Sequence, residues 1–150
     1  LEEKNLSKLL SAIEKRDALH AKGQKNGDQS TKIKLGEAFE SEDWIYDSLD
    51  YFGKAQSNDK ILSLQKKAAD EGNVFLVLKA QRFLGDESTN VLELATQMAE
   101  KNGMIRYAIS GYEKLGDEKN ALRLAESIKD EGSILLEDSG DVFIPDSVEE

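Results

Sequence analysis

The sequence has no cysteine, one proline and one histidine among its 150 residues. The missing cysteine excludes disulfides, thiolate metal sites and a cysteine nucleophile. It also leans toward a reducing, cytoplasmic setting. Pro145 lies near the C-terminus, so no proline interrupts a helix in the body of the chain. No run of apolar residues approaches the 18 or so that a membrane span needs. Cations are in the minority: 20 Lys and Arg stand against 30 Asp and Glu, for a net charge of −10. Affinity for phosphate backbones comes mostly from Lys and Arg, so nucleic acid and anionic membranes are poor partners. The N-terminus, Leu1-Glu2-Glu3-Lys4, lacks the apolar segment of a signal peptide. It also lacks an initiating Met, as a fragment or a processed chain would.

What the sequence does have is a repeat. A polar phrase recurs as Gly27-Asp28, Gln56-Ser57-Asn58-Asp59, Gly85-Asp86 and Gly116-Asp117, in steps of 29, 29 and 31 residues. A second set of breaks falls between them, at Asp43, Gly72, Gly103 and Gly132, in steps of 29, 31 and 29. Such periods mark stacked supersecondary units. Two interleaved breaks divide each unit into two helices of about a dozen residues, too short to be stable alone in water.

The apolar residues agree. Leu6, Leu9, Leu10 and Ile13 fall at i, i+3, i+4 and i+7, the stripe of an amphipathic helix. The pattern predicts helices over 4–22, 31–41, 43–55, 58–71, 73–84, 88–101, 103–115 and 118–130. Asp43 is the expected N-cap of the third, and Ser30 or Thr31 of the second. The segment 73–84 is apolar nearly all round, as befits a central position. The architecture expected is all-α: a right-handed superhelix of about four antiparallel helix pairs over residues 1–132. Residues 133–150 read as an acidic, partly disordered C-terminal tail.

The stretch from Ile105 to Ile128 resembles a tetratricopeptide repeat. The resemblance rests on Tyr112 four residues before Gly116-Asp117, on Ala121 five residues after Gly116, and on Ala125 and Ile128 beyond it. Lys67-Ala68-Ala69-Asp70-Glu71-Gly72 is similar to the related Sel1-like signature. The family period is 34 residues, against 29 to 31 here, and its unit-end proline is missing. The short period also resembles the hairpins of vesicle-coat solenoids. A second frame, through Leu35-Gly36, Phe39, Tyr51, Phe52 and Ala55, would exchange the two helices of every pair and with them the helix that lines the groove.

The resemblance implies a protein–protein interaction module with a concave groove. In the Gly-Asp frame the family's groove positions fall on Asp17; on Tyr46, Asp50 and Lys54; on Phe75, Lys79 and Arg82; and on Arg106, Ser110 and Lys114. Lys54, Lys79, Arg82, Arg106 and Lys114 on one surface, with aromatic neighbours, suit an acidic or C-terminal peptide. Two alternatives remain: a structural segment of a larger coat or scaffold, and an accessory domain of an enzyme lying outside this sequence. An apolar outer face on the first or last helix would favour the scaffold.

Nothing in the residues asks for catalysis, a cofactor or a metal. His20 is alone and reads as a packing residue. Glu40, Glu42 and Asp43 read as turn residues, and Asp138-Ser139-Gly140-Asp141 lacks the alternating acids of a calcium loop.

Overall fold

A computed structural model describes residues 2–25 and 27–139. Eight helices account for nearly all of them: α1 (Glu2–Lys25), α2 (Gln29–Ser41), α3 (Ile45–Lys54), α4 (Asn58–Glu71), α5 (Val74–Leu84), α6 (Asn90–Lys101), α7 (Ile105–Leu115) and α8 (Glu118–Ser139). No strand occurs among the described residues. Most boundaries lie within two or three residues of those read from the sequence; α8 runs nine residues further.

The repeated breaks have one geometry. Asp43, Gln56, Gly72, Gly85, Gly103 and Gly116 all adopt a left-handed backbone, with φ between 55 and 81°. Each stands just past the end of a helix. At Gly103 the chain donates Gly103 N to Glu100 O and Met104 N to Ala99 O. The same pair of bonds recurs as Asp43 N to Glu40 O with Trp44 N to Phe39 O, as Gln56 N to Gly53 O with Ser57 N to Phe52 O, and as Gly116 N to Glu113 O with Asp117 N to Tyr112 O. These are Schellman closures, in which a left-handed residue turns the chain and satisfies the last helical carbonyls. In the Gly116-Asp117 phrase the glycine ends one helix and the aspartate opens the next, since Asp117 Oδ1 accepts from Asn120 N at 3.2 Å.

This geometry corrects several expectations. Asp43 does not cap α3; it closes α2, and Trp44 takes the N-cap place. Asp28, not Ser30 or Thr31, caps α2, its extended backbone letting the carboxylate accept from Ser30 N at 3.2 Å. Gly27 is absent from the left-handed set. Gly132 does not break the chain here, because α8 continues through it to Ser139. Within the predicted tail, residues 133–139 therefore have helical backbone, whereas 140–150 lie outside the described residues.

Two compact units are present, Leu1–Ala68 with Phe75–Ser88, and Ala69–Val74 with Thr89–Glu150. In the first, α1 lies on α2 and α2 packs closely on α3. Its interior holds Leu35, Phe39, Leu49, Phe52, Ile61 and Val77. Gly36 is fixed there by contact: a Cβ on it would stand 2.5 Å from the Phe52 ring. In the second unit α7 packs between α6 and α8, around Leu92, Ala95, Thr96, Ala99, Ala108 and Leu124. Small residues set the approach of these helices, as at Gly111, where a Cβ would meet Thr96 Oγ1 at 2.1 Å.

Candidate protein-interaction surface

The six left-handed residues supply a register. Counting from Asp43, Gly72 and Gly103, the positions three, seven and eleven residues on are Tyr46, Asp50 and Lys54 in α3; Phe75, Lys79 and Phe83 in α5; and Arg106, Ser110 and Lys114 in α7. At a spacing of four residues, each trio lies along one helix face.

In the first unit the structure brings Tyr46, Asp50 and Lys79 together. Lys79 Nζ sits 2.7 Å from Asp50 Oδ1, 3.4 Å from Tyr46 O and 5.6 Å from the centre of the Tyr46 ring. Three aromatic side chains of this unit are open to solvent: Tyr46 at 43%, Phe75 at 41% and Phe83 at 40%. Phe83 lies across Gly53, where a Cβ would stand 2.4 Å from the ring. Lys54 is exposed and its ammonium stands 5.0 Å from the Tyr51 ring centre. Arg82 is exposed on α5, but Phe83 rather than Arg82 shares the register position of Lys54 and Lys114; Arg82 aligns with Gly53 and Glu113. The signal for Phe83 was available in the spacing from Gly72, and its apolar character hid it among core residues.

In the second unit Arg106 and Lys114 are exposed and Ser110 is half-buried between them on α7. Neither cation has an ion-pair partner among the described residues. Beside them a network joins α6, α7 and α8: Tyr112 donates to Glu100 Oε2, and Arg123 Nη2 lies 2.6 Å from Glu100 Oε1. The bond to Glu100 pushes the Tyr112 phenol up to about 12. Tyr112, and then Arg123, hold Glu100 below the ordinary carboxylate value.

A polar cluster that sequence reasoning missed ties α1 to α3. Arg16 grips Asp47 through Nε at 2.7 Å and Nη2 at 3.0 Å. His20 Nε2 lies 3.4 Å from Asp47 Oδ1, and its Nδ1 lies 3.2 Å from the Tyr51 hydroxyl. The imidazole also rests against Phe39, with ring centres 4.7 Å apart. The bond from Arg16 lowers the Asp47 carboxyl against the opposing effect of burial, and burial raises the Tyr51 phenol. His20 thus packs and bridges, and no group of three metal-binding side chains occurs among the described residues. Asp17, the position assigned to the first unit, is exposed on α1. Next to this cluster is an open apolar hollow of about 430 Å³, bounded by α1 residues Leu9 and Ile13 and by Trp44, Ile45 and Tyr46.

None of the described helices is long and apolar enough to cross a membrane. The chain matches no family model, no curated protein and no solved structure.

Proposed function

We propose that this protein is a protein-interaction module of helical-hairpin repeats, tetratricopeptide-like in its construction, and that a partner peptide docks on the exposed face of α3 and α5. The supporting observation is the trio of half-exposed aromatic rings, Tyr46, Phe75 and Phe83, on the helices that carry the Asp50–Lys79 pair. Rigid aromatic rings offer contact area at small entropic cost, and a charge pair beside them orients a polar chain. On this reading the exposed cations of the same unit, Lys54 and Arg82, favour an acidic or C-terminal peptide. Immobilised protein is exposed to a peptide library, and sequences enriched by the native chain are compared with those kept by Tyr46→Ala/Phe75→Ala and by Lys54→Glu/Arg82→Glu. Loss with the first pair supports the aromatic surface, and loss with the second supports the acidic partner. Equal enrichment by all three proteins sinks the reading.

A second reading, a segment of a larger scaffold, is favoured by α1. Leu9, Leu10 and Ile13 are 57%, 52% and 46% exposed on that helix, an apolar face that a polar terminal cap would not carry. Light scattering distinguishes it: concentration-dependent assembly abolished by Leu9→Asp/Ile13→Asp supports the scaffold, and a monomer at every concentration argues against self-assembly.

A further inference from the structure

The hollow beside α1 has anchored walls. Arg16 reaches from α1 to α3, and its two bonds to Asp47 set the distance between these helices. Trp44 is held by the core: it packs half-buried against the cluster of Leu35, Phe39 and Tyr51, its ring centre 6.0 Å from that of Phe39. Walls fixed in this way resist collapse. A volume of about 430 Å³ stays open between Leu9, Ala12 and Ile13 on α1 and Trp44, Ile45 and Tyr46 at the start of α3. That is the size of a ligand cleft, with apolar walls and a few polar groups at the edge.

Tyr46 belongs both to the hollow and to the exposed aromatic face of α3 and α5. The face therefore has two unlike ends. At the Tyr46 end lie the apolar walls, with Asp43 exposed at their edge and Asp47 already held by Arg16. In the middle Asp50 and Lys79 neutralise each other. At the far end Phe83, next to Arg82, covers Gly53, next to Lys54, which brings both cations to one place. Both are exposed, and neither has an ion-pair partner among the described residues.

The two ends are a fixed distance apart. Tyr46 and Lys54 are eight residues apart on one helix, about 12 Å along its axis. An extended peptide rises about 3.3 Å per residue and spans that distance in about four residues. We propose that the hollow receives one large apolar side chain of the docked peptide, whose acidic residues lie about four positions away, over Lys54 and Arg82. This rests on the α3–α5 reading of the peptide site and adds to it an anchor, a spacing and a polarity. A carboxylate beside the anchor meets Asp43, whereas one at the far end meets two cations.

Trp44 is the only tryptophan in the chain, so its emission reports on the hollow directly. The probe is a library of short peptides, each with one phenylalanine and one pair of adjacent glutamates at varied spacing in a background of serine, glycine and alanine. It is screened on the native chain, on Ala12→Phe, which fills the hollow, and on Lys54→Glu/Arg82→Glu. The native chain should enrich peptides with the phenylalanine about four residues from the glutamates, about tenfold over those in which they adjoin. Ala12→Phe loses the phenylalanine preference and keeps that for glutamate, and Lys54→Glu/Arg82→Glu does the reverse. The enriched peptide moves the Trp44 emission to the blue, and its version with serine for phenylalanine does not.

Enrichment without a preferred spacing, or a bound peptide that leaves the Trp44 emission unmoved, overturns the proposal. Binding lost in Tyr46→Ala/Phe75→Ala but kept in full by Ala12→Phe removes the anchor and leaves the aromatic surface standing. No enrichment by the native chain removes both. A blue shift that grows with the concentration of protein alone, together with a dimer in light scattering, gives the hollow to a second copy of the chain and overturns the proposal as well.

Discussion

The turn between α2 and α3 and the turn between α6 and α7 make the same two closing hydrogen bonds, yet one has Asp43 at its left-handed position and the other has Gly103. The α3–α4 and α7–α8 turns differ in the same way, with Gln56 against Gly116. A residue with a side chain is disfavoured by about 1–2 kcal/mol in this conformation, and aspartate less than glutamine. The α2–α3 and α3–α4 turns are therefore kept against local preference. Long-range contacts of α3 hold them: Phe52 against Gly36, Phe83 over Gly53, and the Arg16–Asp47 pair. In the later turns the glycines carry no such penalty. The left-handed turn is thus imposed by helix packing, and glycine makes it cheaper without being required.

The largest effect that would sharpen this contrast belongs to Gly72→Ala. The new Cβ meets both a left-handed backbone and the Ala99 main chain, 2.7 Å from its nitrogen. A loss of about 3 kcal/mol is expected in urea unfolding. Gly116→Ala isolates the backbone term, because nothing lies within 4 Å of its Cβ; about 1–2 kcal/mol should be lost. A loss as large as that of Gly72→Ala would mean that the turns are not equivalent. In the first unit the sign reverses: Gln56→Gly should raise stability by about 0.5 kcal/mol, the relief of strain exceeding the added freedom of the unfolded chain. A clear loss would show that the Gln56 side chain contributes to the turn.

The smallest effects are electrostatic. Arg16 lowers the folded Asp47 pKa, so this anchor of α3 is complete above pH about 4 and is lost as pH falls further. Arg16→Gln should flatten the acid limb of a stability–pH curve, and an unchanged limb would remove the pair from the account of α3. In α7 the corresponding anchor titrates at the other extreme. One of the four tyrosines should show its phenolate absorbance only near pH 12, and Glu100→Gln should bring it back toward 10.

The helices were legible because apolar periodicity and the glycine breaks are local signals. Asp43 and Gln56 were legible as break positions only through spacing, since nothing in either residue announces a left-handed turn. The role of Asp43 was misread because an aspartate before an apolar run is also the signature of an N-cap. The surface was less legible. Lys79 was read as one of five cations on a groove, and its pairing with Asp50 joins residues on two helices, where no sequence period fixes side-chain direction. The bridge among Arg16, Asp47, His20 and Tyr51 was hidden for the same reason. Phe83 was visible to the repeat register but counted as core, because hydrophobicity alone does not say which face of a short helix is covered.

The step of 31 between Gly85 and Gly116 has a simple source. The distance from Gln56 to Gly72 is 16 residues, from Gly85 to Gly103 it is 18, and the left-handed residues flanking α3, α5 and α7 are 13 apart each time. The two added residues therefore fall between Gly85 and Gly103, where Asp86, Glu87, Ser88 and Thr89 form an exposed turn, at the point where one compact unit gives way to the other. The turn is thus longer than the one that follows Gln56, and its four residues are all exposed. For protein engineering it is the natural port: an epitope or a fluorescent reporter spliced between Glu87 and Ser88 would label the molecule without displacing a helix.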